Sequence, residues 1–163
     1  MRILVMMIGA PGSGKSTLAR RLASMRLFAQ VNIVVSSDKI RGRLFGDETC
    51  QKDNHLVFQV LESDAEEAFD MFDDVAVFID ACNTNRDERE SLVAALAPYF
   101  DKAVAIYHDG PKSECIERNN ARDRVVPEYV IDRMYGQAPY AYELFPDFNA
   151  IIPFSVAENF GSC

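Results

Sequence analysis

Four groups of residues in this 163-residue chain have the types and spacing to handle a phosphoryl group. The first is Gly9-Ala10-Pro11-Gly12-Ser13-Gly14-Lys15-Ser16, which fits the phosphate-binding pattern G-x-x-x-x-G-K-[ST] at every fixed position. The backbone of Gly12, Ser13 and Gly14, with Lys15, Ser16 and Thr17, forms the expected set around a nucleoside triphosphate. Glycines let N–H groups close on phosphate oxygens, and the helix that follows adds its positive end. Lys15 reaches the β- and γ-phosphates, and the Ser16 hydroxyl takes a place on Mg²⁺.

The second group is Asp38 with Arg41, one helical turn apart. A carboxylate there would face the γ-phosphate, take the proton of an attacking hydroxyl and add roughly 10²–10⁴ in rate. Arg41 would hold an anionic group on the acceptor. The plainer alternative is that Asp38 caps its helix and pairs with Lys39 or Arg41. The third group is Asp80, closing an apolar run, with Asn83 beyond it. Asp80 is placed to orient Mg²⁺ alongside Ser16 or to meet the acceptor, and Asn83 is a further acceptor candidate. The fourth is Arg118, Arg122 and Arg124 in a segment that breaks at Pro127. Arginines closing over a γ-phosphate supply roughly 10³–10⁵ in rate, so residues 118–126 read as a lid. Otherwise they form a basic turn offset by Asp123 and Glu128.

These residues need elements to position them. Residues 3–8, 31–35, 75–79, 103–107 and 149–152 are short apolar runs ending in polar residues, which predicts five buried strands. Helical spacing is predicted over 17–27, 39–45, 55–72, 85–99, 112–119 and 128–138, with Asn85 and Glu88 as a capping box. Strands alternating with helices predict an α/β fold of three layers, a parallel sheet of about five strands with helices on both faces. Ligands are then expected at the carboxyl ends of the strands. Residues 1–153 read as one domain built on the phosphate loop and 154–163 as a short tail.

Composition sets limits. The chain has a net charge of −8, with 48% hydrophobic and 26% charged residues, which are globular values. Residues 1–43 hold eight basic residues and one acid, so that segment carries +7 and the remainder −15. Such asymmetry can hold a polyanion locally, although Arg20, Arg21 and Arg26 read as solvating the first helix. Cys50, Cys82, Cys115 and Cys163 are scattered, and His55 and His108 lack ligand spacing, so neither a disulfide framework nor a metal cluster is expected. The N-terminal apolar run passes straight into the phosphate loop and reads as a core strand rather than a signal peptide. A cytoplasmic protein without a membrane span is the expectation. The oligomeric state is not legible in the sequence.

A phosphate loop alone fits a kinase, a GTPase, an ATPase or a passive nucleotide binder. The chain lacks Asn-Lys-x-Asp and has no Asp-x-x-Gly after the third strand, so the GTPase class falls. GAPGSGKST, VSSDKIRG, FIDACNTN and ERNNARDRVVPEYVIDRM together resemble the kinase module of polynucleotide 5′-kinases, phage and bacterial, over roughly residues 3–152. The resemblance implies ATP as donor with Mg²⁺, and a 5′-OH end of DNA or RNA as acceptor. It implies that Lys15 and Ser16 bind donor phosphates and Mg²⁺, that Asp38 is the general base, and that Arg41 contacts the acceptor's phosphate. Arg118 and Arg122 would be lid arginines on the donor. Cys82 departs from the Thr usual in the bacterial enzymes, and a thiol donates poorly. With no Asp-x-Asp-x-Thr phosphatase signature, the chain resembles a stand-alone kinase. A small-molecule kinase of the same fold, and a binding module without chemistry, are the alternatives.

Overall fold

Five parallel strands form the sheet: β1 (Arg2–Ile8), β2 (Val31–Ser36), β3 (Val75–Asp80), β4 (Lys102–Tyr107) and β5 (Ala150–Pro153), in the order β2-β3-β1-β4-β5. They belong to a computed structural model that describes residues 1–162. Cys163, the end of the expected tail, lies outside the described residues. The helices are α1 (Lys15–Met25), α2 (Ser37–Phe45), α3 (Asn54–Met71), α4 (Arg86–Leu96), α5 (Lys112–Asn120), α6 (Glu128–Gln137), α7 (Ala141–Leu144) and α8 (Phe154–Ala157). Among the described residues no helix is long and apolar enough to cross a membrane.

The apolar runs arise because the central strands are covered on both faces. In β1 the side chains alternate: Leu4, Met6 and Ile8 pack with Val57, Leu61, Phe69, Leu92 and Leu96 of α3 and α4. Val5 and Met7 pack with Leu18, Ala19 and Leu22 of α1. Thus α1 leaves β1 on one face and α4 leaves β3 on the other. Because β1 and β3 are neighbours, a crevice opens beyond their carboxyl ends, where open α/β sheets bind ligands. Register aligns those ends, with Ser36 opposite Asp80 and Ile8 opposite Tyr107.

Three differences from the sequence reading have physical causes. The short tail is packed down: Phe154 and Ala157 of α8 are buried in the core layer beneath α1. Arg21, read as a solvated surface residue, donates to the carbonyls of Glu158 at 2.6 Å and Phe160 at 3.0 Å, so it anchors that segment. The single turn α7 buries Leu144 against the other layer, although four residues are too short for a visible period.

Candidate active site

The phosphate loop is shaped by backbone. Gly12 and Gly14 have φ of 82° and 89°, a region that disfavours residues with a Cβ. A Cβ on Gly12 would also stand 2.2 Å from the carbonyl oxygen of Cys115 in α5. Gly14 is the N-cap of α1 and has no side chain to offer, so the first N–H groups of that helix are left for a ligand. Ser13 is fully buried and its hydroxyl has no hydrogen-bond partner among the described residues. Lys15 is in no ion pair among those residues, which leaves its ammonium free for a phosphate.

Two neighbours fix the loop from the side. The Gly9 N–H donates to the carbonyl of Cys82 at 2.9 Å. Asn83 donates its amide N–H groups to the carbonyls of Met7 at 2.7 Å and Ala81 at 3.1 Å. The nitrogen of Asn83, expected to meet the acceptor, is therefore used to stitch β1 to β3, and its φ of 53° reflects that turn. Arg89, which the sequence reading did not single out, supports the same turn. It is buried and donates to the carbonyls of Asn83 at 3.0 Å and Thr84 at 3.3 Å, and burial lowers its pKa.

The Ser16 hydroxyl donates to Asp80 Oδ1 at 3.0 Å, bringing together the two residues expected at a metal. A hydroxyl and a carboxylate are the hard oxygen donors that suit Mg²⁺, which keeps several waters and binds through few carboxylates and the substrate phosphates. Asp80 is buried, so a cation there would answer its charge. The residues present fit the ion.

Asp38 lies on the first turn of α2, two residues past the β2–β3 register pair Ser36 and Asp80. Ser36, not Asp38, caps the helix, accepting from Lys39 N at 3.4 Å. Arg41 is buried, donates to Asp38 Oδ1 at 3.1 Å and to Asn54 Oδ1 at 3.2 Å, and among the described residues its Nε has no partner. Arg124 donates to the other oxygen, Oδ2, at 2.9 Å. That contact spans 86 residues, and Glu48, which also pairs with Arg124, carried no signal in the sequence.

The segment expected to form a lid is less uniform than its arginine spacing suggests. Helix α5 ends at Asn120, so Arg118 and Arg122 do not continue on one helical face. Arg118 donates to the carbonyl of Ser13 at 3.0 Å, directly on the phosphate loop. Arg122 instead donates to Asn119 Oδ1 at 3.1 Å. Asn119, buried, also accepts from Val126 N at 3.0 Å and donates to its carbonyl at 2.8 Å, closing residues 120–126 into a ring. Asp123 and Glu128 do not offset these arginines; Arg124 pairs with Asp38 and Glu48.

His108, which lacks ligand spacing, is half-buried beside Gly9, with its ring edge-on to Phe154 at 5.4 Å. Burial, and then the charge of Arg118, lowers its pKa. Asp109 is pushed up by burial, but hydrogen bonds from the Ser155 hydroxyl and backbone outweigh this and hold it below its ordinary value.

Comparison with known proteins bears on the fold and the family. L-seryl-tRNA(Sec) kinase of Methanococcus maripaludis is 24% identical over 157 residues, covering 89% of this chain and 57% of its own. A chain in the structure of the Pnkp1/Rnl/Hen1 RNA repair complex has TM-score 0.75 at 22% identity, covering 90% of this chain and 47% of that one. Chaetomium thermophilum Kti12, solved in complex with ADP-AlF3, has TM-score 0.70 at 12% identity and covers 98% of this chain and 97% of its own. The chain thus spans about half the length of the first two. The fold is that of the P-loop kinases, a five-stranded parallel sheet with helices on both faces. A family model described as an AAA domain matches residues 4–139, and with most of its length so matched the chain belongs to the AAA domain family.

Proposed function

We propose that this protein transfers the γ-phosphoryl group of ATP to the 5′-hydroxyl end of a DNA or RNA strand. The observation that carries the reading is Asp38, with Arg41 3.1 Å away, on the first turn of the helix that follows β2, the strand next to the one that bears Asp80. A passive nucleotide binder has no need of a carboxylate at that position. The hydroxyl oxygen attacks the γ-phosphorus in line, Asp38 accepts its proton, and ADP leaves with the electrons of the bond to the bridging oxygen. Lys15 and the N–H groups of residues 14–17 bind the donor phosphates. Arg118, already at the loop, answers charge that builds on the γ-oxygens. Mg²⁺ would be held by Ser16 and Asp80, and when bound it neutralises charge on the β- and γ-oxygens. Arg41, with an unpartnered Nε, serves an anionic group of the acceptor.

Two similar proteins support an acceptor on RNA: one is named a kinase of seryl-tRNA and the other stands in an RNA repair complex. One observation favours a small-molecule kinase instead, the net charge of −8, which repels a long polyanion away from residues 1–43.

The test supplies Mg²⁺ and γ-labelled ATP with 5′-OH DNA and RNA oligonucleotides, seryl-tRNA, nucleosides and sugars. Label on the 5′-OH oligonucleotides is expected. Label on a sugar or nucleoside alone would overturn the reading, and label on seryl-tRNA alone would move the acceptor from a strand end to an aminoacyl hydroxyl.

A further inference from the structure

Arg124 occupies the oxygen of Asp38 that, on the proposed reading, an acceptor hydroxyl must reach. Its guanidinium donates to Asp38 Oδ2 at 2.9 Å and to Glu48 Oε2 at 2.9 Å, while Arg41 holds Asp38 Oδ1 at 3.1 Å. Both oxygens of Asp38 are therefore engaged. Glu48 belongs to the loop between α2 and α3, and Lys39 Nζ holds its other oxygen at 3.1 Å. Room for Glu48 is made at Gly42, inside α2: a Cβ there would lie 3.1 Å from Glu48 Cγ. Glycine weakens a helix interior, and its backbone here is not in the left-handed region, so the space it leaves accounts for it. Three separate segments thus meet at one guanidinium, that of Arg124. The pairs are also exchangeable, because Asp38 and Glu48 are 41% and 39% exposed.

We propose that Arg124, held by Glu48, is a specificity-determining guard on Asp38 that keeps it from activating water until an acceptor displaces the guanidinium. The proposal rests on the reading of Asp38 as the base. The reaction it suppresses is hydrolysis of ATP: a water oxygen bonds to the γ-phosphorus, the bond to the β–γ bridging oxygen breaks, ADP leaves with that electron pair, and Asp38 takes the proton. An acceptor hydroxyl displaces Arg124 from Oδ2, and Glu48 retains the freed guanidinium, so the lid stays over the site.

The test compares wild type with Glu48→Gln and Arg124→Gln. Without ligand, hydrogen exchange over residues 46–53 and 118–126 should quicken by about 5-fold, as loss of one partly exposed ion pair allows. With Mg²⁺ and ATP but no acceptor, phosphate release should rise by about 10-fold, a small part of what a positioned base supplies. Adding Asp38→Asn to Arg124→Gln should remove that gain. Unchanged exchange in both variants would overturn the latch. Faster exchange with unchanged hydrolysis, or a gain that survives Asp38→Asn, would overturn the guard. Raised hydrolysis in a protein that labels no 5′-OH oligonucleotide upholds the guard and sinks only the acceptor assignment.

Discussion

The proposed donor and acceptor sides of the crevice are built from different materials. The donor side is backbone: two glycines with positive φ, a buried Ser13, the uncapped start of α1, and a Gly9–Cys82 hydrogen bond of 2.9 Å. The acceptor side is side chains: Asp38, Arg41, Glu48 and Arg124, joined by ion pairs of 2.9–3.1 Å and, Arg41 apart, substantially exposed. Backbone packed into a core has one arrangement. Partly exposed ion pairs are weak individually and can trade partners with a ligand. A triphosphate is the same in every turnover, so a fixed cradle suits it. On the proposed reading the acceptor side must tell a hydroxyl from water, so it needs groups that move.

The largest expected effect tests whether the lid belongs to the donor side. Arg118 touches Ser13, whereas Arg122 rests on Asn119. Arg118→Ala should lower turnover by roughly 10³-fold, the lower end of the arginine-finger range, and Arg122→Ala by about 10-fold or less. A larger loss at Arg122 would mean that the 120–126 ring rotates onto the donor during the reaction. Single-turnover rates at saturating ATP separate the two.

Next comes Asp38→Asn. Turnover should fall by about 10²-fold or more, while ATP affinity, measured by calorimetry, stays near wild type because nothing on the donor side depends on Asp38. Equal losses in affinity and turnover would break the division into two sides. Turnover near wild type would reduce Asp38 to an ion-pair partner.

What the sequence revealed follows the same division. The donor side is local, eight consecutive residues between a strand and a helix, so a pattern and its flanks were enough to place it. The five strands were legible because burial on both faces turns each into an apolar run with polar ends. Strand order was not, since parallel neighbours such as β1 and β3 are about 70 residues apart and nothing local marks them. On the acceptor side, Asp38 and Arg41 were visible as one helical turn. Arg124 was visible only as a lid arginine and Glu48 not at all, because their contact joins residues 76 apart. Asn83 was read by its position after a strand, whereas its amide answers two carbonyls that only the folded chain brings near. Arg89 looked like one more charge on a charged helix, and only the packing of α4 buries it.

A smaller effect sharpens the claim that the donor side is fixed by its backbone. Gly12 and Gly46 both have positive φ, at 82° and 73°. A Cβ on Gly12 meets the Cys115 carbonyl at 2.2 Å, whereas one on Gly46 meets nothing within 4 Å. Gly46→Ala should cost about 1 kcal/mol, the price of the left-handed backbone alone. Gly12→Ala should cost about 1–3 kcal/mol more through the clash, and should weaken nucleotide binding as α5 is pushed off the loop. Denaturant midpoints give the difference between the two. Equal costs would mean that the loop yields easily and is no rigid cradle.

The smallest effect concerns pH and again falls on the donor side. His108 is wedged between the phosphate loop at Gly9 and Phe154 of α8. Burial lowers its pKa from the ordinary 6.5, and Arg118 adds to this; Glu114, Asp109 and Glu158 act in the opposite direction without reversing it. The folded state therefore binds the imidazole's proton less readily than the unfolded chain does. Where the unfolded state holds more protons, stability rises with pH. Stability from His108 is thus full above about 6.5 and is lost as pH falls from there towards the lowered folded value. Thermal unfolding of wild type should drop between pH 7.5 and pH 5.5 more steeply than that of His108→Gln, which cannot gain the proton, with the carboxylates common to both. Hydrogen exchange at the lower pH, corrected for intrinsic rates, should quicken in residues 9–14 before residues 37–48, because the charge forms against the loop and not beside Asp38. Parallel slopes for the two proteins would show that the imidazole is accommodated as a cation and that acid does not act through the cradle.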